Sequence, residues 1–373
     1  MTGRRTPPKP GATPPGLRIL HCLSPGAGAI PARCASVIEA LGAGVEHAIV
    51  GGEGAAPPAG IDHLPAGVRI ARPPFPPLAG RPWPGRLKRL AAAMAGYDLL
   101  CSWGAGALDA ALAQTLFADV YRLAPLVHHE DAAAEARPRS VLMRRIALGR
   151  TAALVVPSRA AERIALDRWQ QPRGRVRLIP PGIDTAALAA IPRRDAVPGL
   201  VKRRGELWLG TLAAPGGAAA LVALVRALAA LPEQWQLVIA GEAERTPIMA
   251  AAEACAIDHR VHLIGSPGRA PPFGLFDLFA ADCGDAIREA MAAGLAVLAP
   301  GEGEAAELLA SDNGPFLAQS QEERAAALVR LTTDDALRRR VGEANRGKAR
   351  AEFDERRMVG RLVALYRGLL PGR

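Results

Sequence analysis

Short, largely apolar runs alternate with helix-forming segments along most of the chain, and this alternation restarts near residue 207. The first half begins with an apolar run at Leu17–Leu23, followed by a glycine-rich turn, a helical pattern over Ala32–Leu41 and another apolar run at Val45–Val50. A strand, a glycine loop, a helix and a second strand make one βαβ unit. Each half therefore predicts a parallel sheet covered by helices, and the chain belongs to the α/β class.

The remaining elements follow the same order in both halves. Further strands are predicted at 98–101, 125–128 and 153–156, and in the second half at 207–210, 236–240, 261–264 and 296–299. Helices are predicted at 218–231, 247–256 and 287–293, and from Glu322 to the end. Two Rossmann-like halves of this kind bind ligands at the carboxyl ends of their strands, facing the cleft between them.

Proline-rich and irregular segments divide the chain into five parts. Residues 1–15, with five prolines, are expected to be a flexible tail, and residues 16–180 form the N-terminal Rossmann-like domain. Residues 181–205 have little periodicity and are predicted to be an interdomain linker. Residues 206–355 form the C-terminal Rossmann-like domain, and residues 356–373 form a helix that can cross back to the N-terminal domain.

The net charge of +10 suggests a polyanionic partner, but the composition weakens that interpretation. Only four of the 46 basic residues are lysines, and alanine, glycine, proline and arginine are abundant, as codon bias in a high-GC genome would produce. Aromatic residues make up 4% of the chain, too few for stacking platforms that bind single-stranded nucleic acid. We therefore expect no nucleic-acid partner.

Cysteine usage and hydropathy indicate a cytoplasmic protein. The five cysteines are scattered without a CxxC pair or a Cys/His cluster, which favours reduced thiols over a disulfide framework or a zinc site. The longest apolar stretch, 212–231, is interrupted by Pro215, two glycines and Arg226, so it predicts a buried strand end and a helix. We expect a soluble chain.

Three segments and one glutamate carry a resemblance to a known family. Residues 155–159 read VVPSR, residues 178–184 read LIPPGID, residues 289–297 read EAMAAGLAV, and Glu307 ends a glycine-containing turn. They are similar, in order and spacing, to motifs of the retaining glycosyltransferases of family four, with Pro181 in place of the usual Asn. The resemblance implies the GT-B fold, in which two Rossmann-like domains face each other across a cleft.

The resemblance also implies an activity. Such an enzyme transfers a sugar from a nucleotide-sugar donor, held by the C-terminal domain, to a polysaccharide or lipid-linked acceptor, held by the N-terminal domain. The nucleotide-sugar is a substrate, and neither a metal nor any other cofactor is expected.

The donor site is predicted around a helix that begins near Gly284. A helix N-terminus offers free N–H groups and a partial positive charge to a diphosphate, and an ionised Glu289 can accept hydrogen bonds from both ribose hydroxyls. Glu289 also matches the ribose-binding Glu of the family, although a solvated position on the helix face is the alternative. The other donor-binding candidates are Gly216, Gly241, Glu242 and Glu307.

Two departures from the family pattern put turnover in question. The first Glu of the family's pair falls on Ala281, in a loop about five residues shorter than usual, and the Arg and Lys that clamp the donor phosphates fall on Gly216 and Ala219. Losing such a clamp costs roughly 10²-fold or more in rate. The carboxylates of Asp282 and Asp285 would repel a diphosphate, and favourable capping of the helix N-terminus is the alternative for them. The alternative function is therefore a catalytically degenerate GT-B protein that serves as a partner or scaffold in glycan biosynthesis.

The acceptor side is predicted at His129, Glu130 and Asp131, which directly follow a strand. The resemblance places this segment beside the transferred sugar, where these side chains would act in catalysis by orienting an acceptor hydroxyl. Polar capping of the strand end is the alternative. A metal site is disfavoured because adjacent side chains on an extended strand point to opposite faces.

A basic amphipathic helix from Arg137 to Arg150 provides a candidate membrane surface. Its five arginines alternate with apolar residues, as in helices that lie on anionic lipid. This pattern predicts peripheral attachment to the inner face of the membrane, and an ordinary outer helix with solvated arginines is the alternative.

Overall fold

The structure is a computed structural model that describes residues 16–24, 29–51, 64, 68–131, 138–213, 217–265, 272–281 and 284–370. The chain divides into two compact units. The first runs to Pro181 and takes up the chain again at Met358, and the second is Gly182–Arg357.

The first unit is built on a seven-stranded sheet in which every neighbouring pair is parallel. The strand order is β3-β2-β1-β4-β5-β6-β7. The strands are β1 (Leu17–Leu23), β2 (Val45–Val50), β3 (Arg69–Ala71), β4 (Leu99–Trp103), β5 (Leu126–His129), β6 (Ala153–Val156) and β7 (Val176–Leu178). This order reverses direction beside β1, as in the Rossmann arrangement.

Five α-helices lie between these strands in the described residues. They are α1 (Ala32–Leu41), α2 (Pro84–Ala93), α3 (Leu108–Tyr121), α4 (Pro138–Ala147) and α5 (Arg159–Arg163), which continues into a π-helical turn at Ile164–Arg168. Ser158 explains the VVPSR segment physically, because its hydroxyl caps α5 by accepting a hydrogen bond from the Ala161 N–H at 3.2 Å. Apolar side chains on both faces of the sheet form two buried clusters.

The second unit repeats the arrangement with six parallel strands in the order β10-β9-β8-β11-β12-β13. The strands are β8 (Leu207–Leu212), β9 (Trp235–Ala240), β10 (Val261–Ile264), β11 (Leu278–Ala280), β12 (Val297–Pro300) and β13 (Leu317–Ala318). The helices are α6 (Thr185–Leu188), α7 (Ala218–Leu228), α8 (Arg245–Ala254), α9 (Gly284–Ala293), α10 (Ala305–Leu308), α11 (Gln321–Thr333) and α12 (Asp335–Glu352). The structure thus confirms two Rossmann-like parallel-sheet domains in the α/β class.

The last helix, α13 (Glu355–Leu369), starts at the end of the second unit and packs within the first. Met358, Leu362 and Tyr366 are buried in the same cluster as residues of β1 and β4. These side chains recur every four residues, so one face of the helix is apolar and is covered by the sheet.

The segment 181–205, predicted as a linker, lies in the second unit apart from its first residue. The Ile183 N–H donates to the Phe353 carbonyl at 2.8 Å, and the Thr185 hydroxyl donates to Asp354 at 2.5 Å. Asp184 caps α6 by accepting from the N–H groups of Ala186 and Ala187. These hydrogen bonds and the burial of Val197 join the segment to the domain despite its prolines.

Candidate functional site

The carboxyl edge of the second sheet gathers the predicted donor residues, because parallel strands end at the same edge. The Ala213 N–H, after β8, donates to the Ala240 carbonyl at 2.8 Å. Gly241 follows β9 with φ of +104°, a conformation that favours glycine, and a Cβ on it would contact Ala213. The neighbouring Glu242 is exposed.

The N-terminus of α9 lies against the turn that follows β12. A Cβ on Gly284 would collide with the carboxylate of Glu304, so this glycine allows the turn to approach the helix. Arg288 forms an ion pair with Asp285 and lies 3.7 Å from Glu304, measured from Nη1 to Oε1. The N-terminus of α9, where the helix dipole is positive, therefore lies beside the carboxylates of Asp285 and Glu304, and both of them pair with Arg288.

Glu289 lies one helical turn after Asp285 on α9 and is half-buried. Its side chain makes no hydrogen bond or ion pair with any residue that the structure describes. Burial raises the pKa of the Glu289 carboxyl, the charge of Asp285 raises it further, and Arg288 opposes them. The result is a half-buried carboxylate that is free to accept hydrogen bonds from a ligand.

The remaining donor candidates occupy the rim of this edge or fall outside the described residues. Glu307 lies on α10 and is half-buried, and its carbonyl accepts from Lys348 Nζ at 2.9 Å. Gly216 lies outside the described residues. Ala219 is exposed on α7, and Ala281 is buried directly after β11, so neither position presents a charge.

The carboxyl edge of the first sheet places the predicted catalytic segment at the end of β5. His129 is fully buried: its ring stacks on Trp103 with 3.7 Å between centroids, and its Nε2 lies 2.8 Å from the Tyr366 hydroxyl on α13. Burial lowers the pKa of His129, and Arg33, His128 and His21 lower it further. The imidazole is therefore neutral and enclosed by protein.

Glu130 is also buried, with only 2% of its surface exposed. It accepts a hydrogen bond from Arg144 Nε on α4 at 3.1 Å, and His128 Nε2 lies 3.8 Å from the same carboxyl oxygen. Burial alone would raise the pKa of Glu130, but His128 and Arg144 outweigh it and the net direction is down. Glu130 is thus an ionised carboxylate whose partners are protein groups.

Asp131 is the exposed member of the segment. A Cβ on Gly104 would collide with its carboxylate and with the Ser24 hydroxyl, so Asp131 sits where β1 and β4 also end. Burial raises the pKa of Asp131, as does Glu130, and Arg33 and His128 oppose them. Of the three predicted catalytic residues, Asp131 alone reaches the surface of this unit.

The sequence missed the partners that hold this segment. Tyr366 lies 237 residues beyond His129, and no periodicity links the two positions. Arg144 was assigned to a lipid-facing helix, whereas it is buried against Glu130, with its guanidinium 4.9 Å from the Trp169 ring centroid. The position of Arg144 on the apolar face of α4 could have signalled its burial.

In the part of the chain that the structure describes, no cluster of three or more His, Cys, Asp or Glu side chains could hold a metal ion. Within the same residues, no helix is both long and apolar enough to cross a membrane.

Two family models match the chain, one in each unit. The model described as Glycosyltransferase Family 4 matches residues 36–187, and the model described as Glycosyl transferases group 1 matches residues 204–334. No curated protein matches the chain by sequence.

Several solved structures share the fold over nearly their full length. HepE from Anabaena, in complex with UDP, is 17% identical, with 95% of this chain and 100% of that chain covered and a TM-score of 0.72. A glycosyltransferase from Rickettsia africae is 13% identical, with coverage of 96% and 100% and a TM-score of 0.74. Sucrose-phosphate synthase from Thermosynechococcus elongatus is 19% identical, with coverage of 94% and 99% and a TM-score of 0.65.

Proposed function

The chain belongs to glycosyltransferase family 4, and from this premise we propose that it transfers a sugar from a nucleotide-sugar held by the second unit to a polysaccharide or lipid-linked acceptor. The environment of the Glu289 side chain is the main support for this proposal. A half-buried carboxylate without a partner among the described residues is costly unless a ligand supplies hydrogen-bond donors. The two hydroxyls of a ribose supply them.

The first donor to test is a uridine diphosphate sugar. The Anabaena protein HepE has been solved with UDP and with UDP-glucose. In this chain the N-terminus of α9 would face the diphosphate with free N–H groups, as helix N-termini do in other phosphate sites. The carboxylates of Asp285 and Glu304 oppose this attraction, so we expect modest affinity.

Asp131 is the residue that we propose for the acceptor side. It is exposed at the carboxyl edge of the first sheet. Its raised pKa makes the Asp131 carboxylate a stronger base, as a group that accepts a proton from an acceptor hydroxyl requires. His129 and Glu130 would act through it as positioning residues, because both are buried and held by protein partners.

Calorimetric titration with UDP, GDP and their sugar derivatives tests the donor proposal. We expect one nucleotide to bind, and Glu289→Ala to weaken that binding about tenfold or more through the loss of a charge-assisted hydrogen bond. Glu253→Ala is the matched control, because it removes an exposed carboxylate from α8 in the same unit. Unchanged affinity in Glu289→Ala would refute the ribose assignment.

If no nucleotide binds at millimolar concentration, the proposal of an active glycosyltransferase is refuted and the alternative of a catalytically degenerate scaffold protein is favoured. The scaffold alternative makes its own prediction, since restoring the missing cations with Gly216→Arg and Ala219→Lys should then create nucleotide affinity. The affinity of an active enzyme should instead fall on acidification, because protonation of Glu289 starts at a higher pH than for an ordinary glutamate.

We further propose that the first unit contacts the inner, cytoplasmic face of an anionic membrane through α3 and α4. Leu142 and Ile146 are 58% and 44% exposed on one face of α4, and Leu116 and Val120 are 52% and 68% exposed on α3. The Thr115 hydroxyl donates to the Ala147 carbonyl at 2.8 Å, which holds the two helices together. These apolar side chains, rather than the arginines, carry the proposal, because Arg144 and Arg150 are paired with carboxylates.

Co-sedimentation with vesicles that contain an anionic phospholipid tests this surface. The protein should sediment with the vesicles, and Leu142→Ser with Ile146→Ser should release it. Val329→Ser removes an exposed apolar side chain from α11 in the second unit and should have no effect. Equal release by the control, or no sedimentation of the unmodified protein, would refute the proposal.

A further inference from the structure

The second unit has a concave, basic cavity at the edge of its sheet opposite the donor candidates. The cavity has a volume of about 540 Å³ and is lined by Leu207 at the start of β8, by residues 274–277 before β11 and by residues 293–295 before β12. Because all strands are parallel, these residues share the amino edge, whereas Glu289 and Gly241 lie at the carboxyl edge. Six residues of β8 span about 20 Å between the two edges.

Among the described residues, five cations and two carboxylates line this cavity. The cations are Arg194, Lys202, Arg338, Arg339 and Arg346, and the carboxylates are Asp277 and Asp335. Glu343, outside the lining, pairs with Arg346 at 3.1 Å. The cavity therefore keeps a net positive charge after every one of these carboxylates is counted, and such a concavity concentrates anions.

Two of the cations are already fixed by the fold and form the wall of the cavity. Lys202 Nζ donates to the Leu275 carbonyl at 2.6 Å and to Asp277 at 2.5 Å. Arg338 is buried: it donates to the Leu331 carbonyl at 3.0 Å and lies over the Trp235 ring.

The other three arginines keep donors available. Arg194 is exposed, and its guanidinium contacts no partner among the described residues. Arg339 pairs with Asp335 at 2.7 Å, yet 80% of its side chain is exposed. Arg346 donates to the Ala293 carbonyl at 2.8 Å, while its buried Nε has no hydrogen-bond partner in the described part of the chain. Gly294, with φ of +81°, makes room for this guanidinium, because a Cβ there would collide with it.

We propose that this cavity binds a small phosphate ester at a site separate from the donor site. Planar guanidinium groups pair with phosphate oxygens through parallel hydrogen bonds, and the three arginines with N–H groups to spare line this one cavity. Ile191, Pro192 and Phe276 add an apolar wall that suits the organic part of the ester. The volume matches that of pockets for small organic ligands.

Calorimetric titration with glucose 1-phosphate tests the proposal, with pyrophosphate as a second probe and glucose as the uncharged control. We expect both phosphates to bind and glucose not to bind. Arg194→Ala should weaken phosphate binding about tenfold, because it removes a charged donor that no fold contact requires. Asp285→Asn, which removes a charge from the donor edge, should leave the phosphate affinity unchanged.

Arg340→Ala is the matched control, because Arg340 is exposed on α12 beside Arg339 and does not line the cavity. Equal weakening by Arg194→Ala and Arg340→Ala would show diffuse attraction to a basic surface and overturn the site. A rise in phosphate affinity in Asp285→Asn would place the phosphates at the donor edge instead, and absence of phosphate binding at millimolar concentration would also overturn the proposal.

Discussion

The first six strands of both sheets follow the same order, yet the two sheets hold the polar side chains at their carboxyl edges in different ways. In the first unit, His129 and Glu130 are buried and paired with Tyr366 and Arg144. In the second unit, Glu289 is half-buried without a described partner. Because protein groups already satisfy the first pair, its loss should destabilise the fold, whereas loss of Glu289 should alter ligand binding.

Among variants that test this contrast, the largest change in stability is expected for Glu130→Ala. The substitution leaves the buried guanidinium of Arg144 without its carboxylate partner. Breaking a buried ion pair in this way lowers the free energy of unfolding by about 3–5 kcal/mol. Denaturant unfolding followed by tryptophan fluorescence measures the loss. Arg150→Ala is the control, because it breaks the exposed pair with Asp119 and should leave stability unchanged. Similar results for both variants would contradict a structural role for Glu130.

The buried histidines of the first unit predict a loss of stability in acid. Burial lowers the pKa of His47 from 6.5 to about 4, and its Nδ1 lies 3.0 Å from His21 Nε2. Between these two pH values the unfolded chain binds a proton that the folded chain does not, so the unfolding free energy decreases as the pH falls from about 6.5 to about 4. One group with this shift contributes about 3 kcal/mol.

Unfolding measured across this pH range, in the unmodified protein and in His47→Gln, tests the assignment. The variant removes the titrating imidazole and retains a hydrogen-bonding side chain, so its stability should depend less steeply on pH. An unchanged slope would show that His47 does not carry the acid sensitivity.

A smaller loss is expected for Tyr366→Phe. The substitution removes the hydroxyl that lies 2.8 Å from His129 Nε2 and leaves a buried ring nitrogen unsatisfied, at a cost of about 1–2 kcal/mol. Tyr121→Phe, on the half-buried end of α3, is the control and should be neutral. If Tyr366→Phe were equally neutral, the hydrogen bond between α13 and β5 would contribute nothing to the first unit.

Hydrophobic alternation was enough to predict the fold class and the central strands. The predicted bounds of β1, β2 and β6 match the structure, because each of these strands is a largely buried run flanked by turns. The short strands β3, β7, β11 and β13, of two or three residues, were missed. So few residues carry no periodicity, and their pairing depends on neighbours that are distant in sequence.

The candidate site was predictable where local chemistry determines it. Glu289 and Gly284 were found because a glycine, a helix start and a carboxylate lie within six positions. The partner of His129 was not found, because Tyr366 reaches it through the packing of α13. The burial of Arg338 is hidden in the sequence for the same reason: it is one of three consecutive arginines, and its position over Trp235 depends on tertiary contact.

The smallest effect, and the most direct test of the contrast between the two edges, concerns the carboxylates beside α9. Asp285 is exposed and Glu304 partly exposed at the helix N-terminus where a diphosphate would bind. Removing one charge with Asp285→Asn should raise nucleotide affinity about threefold, since a screened charge at this range is worth roughly 0.6 kcal/mol. Asp258→Asn, in the turn before β10, is the control, and titration with UDP at low ionic strength is the measurement. A lower nucleotide affinity in Asp285→Asn would contradict this prediction. It would show that the Asp285 carboxylate supports nucleotide binding, either directly or through its ion pair with Arg288.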